Sequence, residues 1–251
     1  MKSVRAPLFA ALLLGTFAQN ALADELTVSA AASLTNAFKD IAQAYEKQYP
    51  DARVHLNFGA SGALLAQMAK GAPVDVFASA DQPTMDRAEK QGLVRPHARE
   101  NFARNTLVLI VPAHSTLSLK ALDDLGKAYV QKVALGNPAT TPAGNYAKEA
   151  MQAGGQWDTV SPKIIHSQNV RQSLDYVARG EVDAGFVYGT DARVARDKVK
   201  IAFDVATQSP ILYPIAYTAE TSNTAEARRF INYLHSDAGQ AVLARYGFAK
   251  P

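Results

Sequence analysis

The sequence predicts an α/β protein of two lobes, each a mostly parallel sheet flanked by helices. Three observations point there. Short apolar runs alternate with amphipathic segments, the alternation restarts near Thr106, and strands repeatedly pass into helices through small polar residues.

Residues 26–30 read as a strand, after which Leu34, Phe38, Ile41, Ala42 and Tyr45 fall on one helical face. A second strand at 54–58 leads into a helix at 63–70 that stops at Gly71. A third strand occupies 74–78. Asp81 has N-cap chemistry with Pro83 in the first turn, and that helix ends near Gly92. Three strand–helix pairs in series imply a parallel sheet with helices on its faces. The pattern restarts with a β-branched run at 106–111, a short helix at 119–126 and a strand at 133–136. A helix opens near Ala143, a strand runs 163–167, and a helix at 170–179 stops before Gly180. Strands at 184–188 and 200–205 follow, then an extended run at 211–218 interrupted by Pro214. Asn223 with Glu226, and Asp237 with Gln240, have capping-box spacing, so two helices close the chain.

The N-terminus stands apart from this pattern. Lys2 and Arg5 precede an apolar run at 8–17, and Ala21-Leu22-Ala23 is a small-x-small cleavage signature. Those are the three parts of a secretory signal peptide, with cleavage expected after Ala23. The apolar run is too short for a membrane span, which takes ~20 residues, and no later stretch is long enough either. An exported, soluble chain without direct membrane insertion is expected. The absence of cysteine excludes disulfides and thiolate metal sites. A chain of this length buries an adequate core unaided. Loss of Lys2 and Arg5 lowers the formal charge from +3 to +1, which supplies no basic field for nucleic acid.

Common catalytic signatures are missing: no Gly-x-Ser-x-Gly elbow, P-loop, dinucleotide fingerprint or His-Glu-x-x-His. Gly59-Ala60-Ser61-Gly62 has the wrong glycine spacing for a nucleophile elbow. Histidines 55, 97, 114, 166 and 235 are scattered, and no two tyrosines are neighbours, so neither a histidine pair nor a tyrosine-based ferric site is indicated. What recurs instead is a helix start after a strand. Ser33, Ser61, Ala143 and Val170 all occupy such positions. Helix N-termini offer unpaired N–H donors and the positive end of the dipole, and ligands of α/β folds sit beyond the carboxyl ends of strands. A serine at such a start also serves as an ordinary N-cap, so the residues alone leave both roles open.

Five segments resemble the periplasmic molybdate-binding proteins of ABC transporters. They are Ala30-Ala31-Ala32-Ser33-Leu34-Thr35-Asn36-Ala37, Gly71-Ala72-Pro73-Val74-Asp75-Val76-Phe77-Ala78-Ser79-Ala80-Asp81, and Pro142-Ala143-Gly144-Asn145-Tyr146-Ala147-Lys148-Glu149-Ala150, followed by Val187-Tyr188-Gly189-Thr190-Asp191-Ala192 and Arg245-Tyr246-Gly247-Phe248. Together they cover nearly the whole mature chain in the family's order. The resemblance implies a two-lobed periplasmic-binding-protein fold joined by a two-segment hinge. Crossings are expected near 103–106 and 212–214, giving lobe 1 as 24–104 and 213–251 and lobe 2 as 105–212. It implies that the anion is held by Ser33, Ser61, Ala143, Val170 and Tyr188: two serine hydroxyls with neighbouring N–H groups, two helix-start N–H groups and a tyrosine hydroxyl. Ser61 and Val170 match through Phe58-Gly59-Ala60-Ser61 and Asn169-Val170-Arg171, and Gly59 and Gly62 stand where some relatives carry more serine. Tyr188 also suits a strand-end aromatic that packs on its lobe.

No residue of that set is charged, and it contains no carboxylate to accept the O–H of a protonated anion such as phosphate. A dianion needs donors only, which leaves molybdate, tungstate and sulfate. Arg171, next to Val170, has two readings, a cation added to the rim of the site or a solvent-facing side chain, and the second is expected. The resemblance implies a periplasmic monomer that closes on molybdate and delivers it to a membrane permease and its ATPase. No catalytic residue, cofactor or free metal cation is expected; molybdenum is bound only as molybdate. Alternatives are a receptor for sulfate or another tetrahedral oxyanion, a sensor that reports to another protein, and a secreted serine hydrolase using Ser33 or Ser61.

Overall fold

The computed structural model describes residues 24–251, and the expected signal peptide lies outside the described residues. The chain begins with β1 (Asp24–Ala31), a 3-10 turn (Ala32–Leu34) and α1 (Thr35–Gln48), then β2 (Ala52–Gly59) and α2 (Ser61–Met68). Next come β3 (Val76–Ala78), α3 (Gln82–Lys90) and β4 (Glu100–Asn105). The second half runs β5 (Leu107–Pro112), a 3-10 turn (Leu122–Gly126), β6 (Val133–Gly136), α4 (Pro142–Ala153), α5 (Trp157–Val160) and a 3-10 turn (Ser161–Lys163). It continues through β7 (Ile164–Ser167), α6 (Val170–Ala178), β8 (Ala184–Tyr188), α7 (Gly189–Val194) and β9 (Val199–Val205). The chain closes with β10 (Ile211–Tyr217), α8 (Thr224–His235) and α9 (Asp237–Arg245).

Two five-stranded sheets result, in the orders β2-β1-β3-β10-β4 and β7-β6-β8-β5-β9. Both follow one plan. Three parallel strands come first, then one antiparallel strand (β10 or β5), and beyond it an edge strand (β4 or β9) that runs with the first three. The antiparallel strand and the edge strand of each sheet are those adjoining the crossings, β4 to β5 and β9 to β10. The fold is therefore two lobes with mixed sheets, in which the βαβ units supply the parallel part.

The fully buried run of β5 makes it a central strand, flanked by β8 and β9. By contrast β4 is polar, with Glu100, Asn101 and Arg104 exposed, and carries no apolar pattern that marks a strand. It forms because β10 lies beside it, pairing Ile211 with Asn105. The same pairing places all of β10 in the first sheet, so the return to that sheet falls at 206–210, ahead of the expected 212–214. Pro214 is tolerated inside β10 because the register shifts between Tyr213 and Pro214, where the missing N–H is not required.

Several local expectations change. The short helix expected at 119–126 contracts to a 3-10 turn over Leu122–Gly126. Asn223 makes no side-chain cap, and Glu226 is buried against Tyr45, whose hydroxyl donates to it at 2.5 Å. The last helix is capped by Ser236, which accepts from Gly239 N–H, and Gln240 donates to the carbonyls of Phe102 and Leu234. Asp81 does cap α3, accepting from Thr84 N–H. No helix among the described residues is long and apolar enough to cross a membrane.

The core of the first lobe gathers Phe38, Tyr45, Phe102 and Phe230, with ring centroids 5.3–6.3 Å apart between Phe38 and its neighbours and between Tyr45 and Phe230. Towards the crossings, the buried Tyr213 packs edge-on to Phe102, Phe248 and Tyr188. Rings from both lobes thus meet beside the hinge strands. This packing fixes where the strand ends, and with them the helix starts, face one another.

Candidate functional site

Between the lobes lies a small cavity lined by residues at or beyond the carboxyl ends of β1, β2, β3, β6, β7 and β8. Its volume is about 10 Å³, on the order of the space that one water requires (~10–15 Å³). Drug-sized ligand pockets run to ~300–1,000 Å³, so this one admits only a compact group of a few atoms. Ser33, Ser61, Ala143, Val170 and Tyr188 all line it, and no lining residue is charged.

Each lining group has its position for a local reason. Ser33 sits in the 3-10 turn between β1 and α1, a turn closed by the Thr35 hydroxyl donating to Ala32 O at 2.7 Å. Ser61 opens α2, and its Oγ accepts from Ala80 N–H at 3.0 Å. That bond uses a lone pair and leaves the Ser61 proton available to the cavity. Ser33 reaches the same state by a longer route. Asn105 Oδ1 accepts from Thr106 N–H at 2.9 Å, which sets the amide so that Nδ2 donates to Thr190 Oγ1 at 2.9 Å and to Tyr213 OH at 3.1 Å. Tyr213 OH and Ser33 Oγ are hydrogen-bonded at 2.9 Å; the Asn105 bond already occupies a Tyr213 lone pair, which favours Tyr213 as the donor and leaves the Ser33 proton to point inward. Burial pushes the Tyr213 phenol well above its usual range, so it stays protonated and keeps that role.

The second lobe offers helix starts. Pro142 opens α4 with no N–H, so Ala143 carries the first donor of that helix. The helix approaches β6 closely because position 144 is glycine: a Cβ there would come 2.0 Å from Gly136 O. Asn169 caps α6 by accepting from Arg171 and Gln172 N–H, which leaves Val170 N–H outside the cap. Tyr188 ends β8 with its hydroxyl buried and without a partner. Burial pushes this phenol well above its usual range too, so it is a proton donor at ordinary pH.

Arg171 does not face solvent as expected. It spans the two lobes, with Nε donating to Asp191 at 2.5 Å, Nη1 to Asn36 Oδ1 at 2.7 Å and Nη2 to Ser33 O at 3.2 Å. Asp191 is fully buried and also accepts from Tyr188 N–H. Burial raises its carboxyl pKa while Arg171 pulls the other way. A second bridge joins Gly62 N–H to Thr140 O at 3.0 Å, and a Cβ at 62 would stand 2.8 Å from that oxygen. Sequence reasoning misplaced Arg171 and missed Tyr213, Asn105 and Thr141. Asp191, the acid that anchors Arg171, lies three residues after Tyr188 in the same segment.

Neither serine Oγ is paired with a histidine: their partners are Tyr213 and the Ala80 N–H. Among the described residues no group of three or more His, Cys, Asp or Glu is arranged to hold a metal ion. The cavity is an array of neutral donors, suited to a small anion and unsuited to a cation.

Comparison with known proteins agrees with that chemistry. The family model described as bacterial extracellular solute-binding protein matches residues 26–249. The molybdate-binding protein of Escherichia coli (strain K12) is 39% identical over 238 residues, 92% of each chain. A putative ABC transporter substrate-binding lipoprotein of Bacillus subtilis (strain 168) is 38% identical over 225 residues, 89% of this chain and 85% of the relative. The solved periplasmic molybdate-binding protein of Azotobacter vinelandii superposes with a TM-score of 0.78 at 25% identity, covering 90% of this chain and 99% of that one. The chain belongs to the bacterial extracellular solute-binding protein family, whose members bind solutes and are not enzymes.

Proposed function

We propose that this protein captures molybdate, and tungstate with it, and hands it to an ABC import permease and its ATPase. The observation that carries this reading is the small cavity lined by Ser33, Ser61, Ala143, Val170 and Tyr188, with hydroxyls and helix-start N–H groups and no charged side chain. A tetrahedral dianion accepts from every side and asks for no acceptor in return. The E. coli and A. vinelandii relatives, both named for molybdate binding, support the same ligand. In this reading molybdenum is held only as the oxyanion, and no cofactor takes part.

The working cycle is hinge closure. Ser33 and Ser61 belong to a lobe of residues 24–104 with the C-terminal segment, and Ala143, Val170 and Tyr188 to the lobe between. An anion bonded from both sides favours the closed lobes, and the transporter reads that form. The protein works as a monomer in the periplasm after cleavage following Ala23.

Thermal unfolding of the mature chain tests the ligand. Anion at ~100 times its dissociation constant adds about 2.7 kcal/mol, a rise in Tm of roughly 5–11 °C. Molybdate and tungstate are expected to give that rise, with sulfate and phosphate giving none. A rise with sulfate alone makes the protein a sulfate receptor, and no rise with any anion refutes the reading.

A further inference from the structure

Thr141 stands immediately before α4 as its N-cap, yet its hydroxyl makes no capping bond. A threonine there ordinarily accepts from the second or third N–H of the helix. The residue is 2% exposed, it lines the small cavity, and its Oγ1 has no partner in the protein. Its methyl packs against Gly136, where an added Cβ would stand 2.4 Å from Cγ2, so the side chain is wedged in place by its apolar half. An unpaired buried hydroxyl is destabilising and is seldom retained without a partner. Among the described residues, four buried side-chain polar atoms make no hydrogen bond within the protein, and one of these, His235 Nε2, still lies 3.1 Å from a Glu100 carboxylate oxygen. Two of them, on Thr141 and Tyr188, line this one cavity, whereas the other two, on Gln156 and His235, do not.

We infer that the Thr141 hydroxyl is a further ligand donor of the cavity, bonding the tetrahedral oxyanion alongside the two serines, the two helix starts and Tyr188. This rests on the oxyanion reading of the site. Thr141 leaves the α4 N–H groups to the ligand and adds its own proton to them. Because its carbonyl neighbour Thr140 also bonds Gly62 of the other lobe, the donor sits on the segment that meets the first lobe on closure.

Thr141→Val keeps the packing on Gly136 and removes only the hydroxyl; Thr141→Ser restores it. Titration calorimetry with molybdate, tungstate and sulfate, and melting of the ligand-free proteins, are measured for both variants and the parent. Thr141→Val is expected to weaken molybdate binding about tenfold or more, as loss of a hydrogen bond to a charged group does. Its ligand-free Tm is expected to equal or exceed that of the parent, since an unpaired buried hydroxyl has been removed. Thr141→Ser is expected to bind within about threefold of the parent because the donor is kept. Unchanged affinity in Thr141→Val overturns the inference while leaving the oxyanion reading intact. So does a ligand-free Tm several degrees lower, which makes the hydroxyl a structural group, or a Thr141→Ser variant as weak as Thr141→Val. A parent protein that binds none of the three anions overturns the inference and the reading together.

Discussion

The two lobes share one sheet plan but furnish the cavity in different ways. In the first lobe both serine oxygens are already bonded within the protein, Ser33 to Tyr213 and Ser61 to the Ala80 N–H, so their protons are aimed before any ligand arrives. In the second lobe Tyr188 and Thr141 have no protein partner, and the starts of α4 and α6 present bare N–H groups. The first lobe is thus prepared, and the second is left unsatisfied. An unsatisfied donor array gains most when an anion is enclosed, so the drive to close resides chiefly in the second lobe. Arg171 links the halves: it is anchored on Asp191 in the second lobe and reaches Asn36 and Ser33 O in the first.

The largest expected effect comes from cutting that link. Arg171→Ala leaves Asp191 buried without its cation, a change that costs ~3–5 kcal/mol. Denaturant unfolding of the ligand-free protein reads this directly. A loss under 1 kcal/mol means that Asp191 finds another way to be satisfied and that Arg171 is no anchor.

A smaller and sharper test sets one lobe against the other. Ser33→Ala and Tyr188→Phe each remove one hydroxyl, and each is expected to weaken molybdate binding about tenfold or more. Their ligand-free stabilities are expected to differ. Ser33→Ala strands the Tyr213 proton and costs ~1–3 kcal/mol, whereas Tyr188→Phe removes a hydroxyl with no partner and costs nothing. Equal losses of Tm in the two variants abolish the distinction between a prepared and an unsatisfied lobe.

The smallest expected effect is none at all. The hydroxyls and N–H groups lining the cavity are neutral, and burial holds the Tyr188 and Tyr213 phenols protonated well above their usual range. Affinity for molybdate is therefore expected to stay flat between about pH 6 and 9, where an ordinary histidine would titrate. A change of tenfold across that interval places a titrating group in the site.

Strand and helix periodicity, with glycine and proline as stops, carried the parallel core of each lobe, because those elements bury one face and their apolar residues recur at the matching spacing. Residues 133–136 and 184–188 read as strands for a different reason: they are short continuous apolar runs, and both are buried throughout. The polar β4 did not: Glu100–Asn105 is a strand only because β10 supplies its hydrogen bonds, and that partner lies over 100 positions further on in the chain. The capping boxes at Asn223 and Asp237 were misread because Glu226 and Gln240 have tertiary partners that outcompete the local ones.

At the site, short motifs sufficed to nominate Ser33, Ser61, Ala143, Val170 and Tyr188, since helix starts after strands are local features. What the motifs do not contain is the state of each proton. That Ser33 is free to donate depends on Tyr213, 180 positions away, and on Asn105 at the crossing. That Arg171 bridges the lobes, instead of meeting solvent, depends on Asp191 and Asn36 arriving from different elements. The sequence by itself determined which groups are donors and that none is charged. The tertiary structure alone decided which of those donors are already satisfied, because a hydrogen bond between distant residues exists only once folding has met the entropic cost of bringing them together.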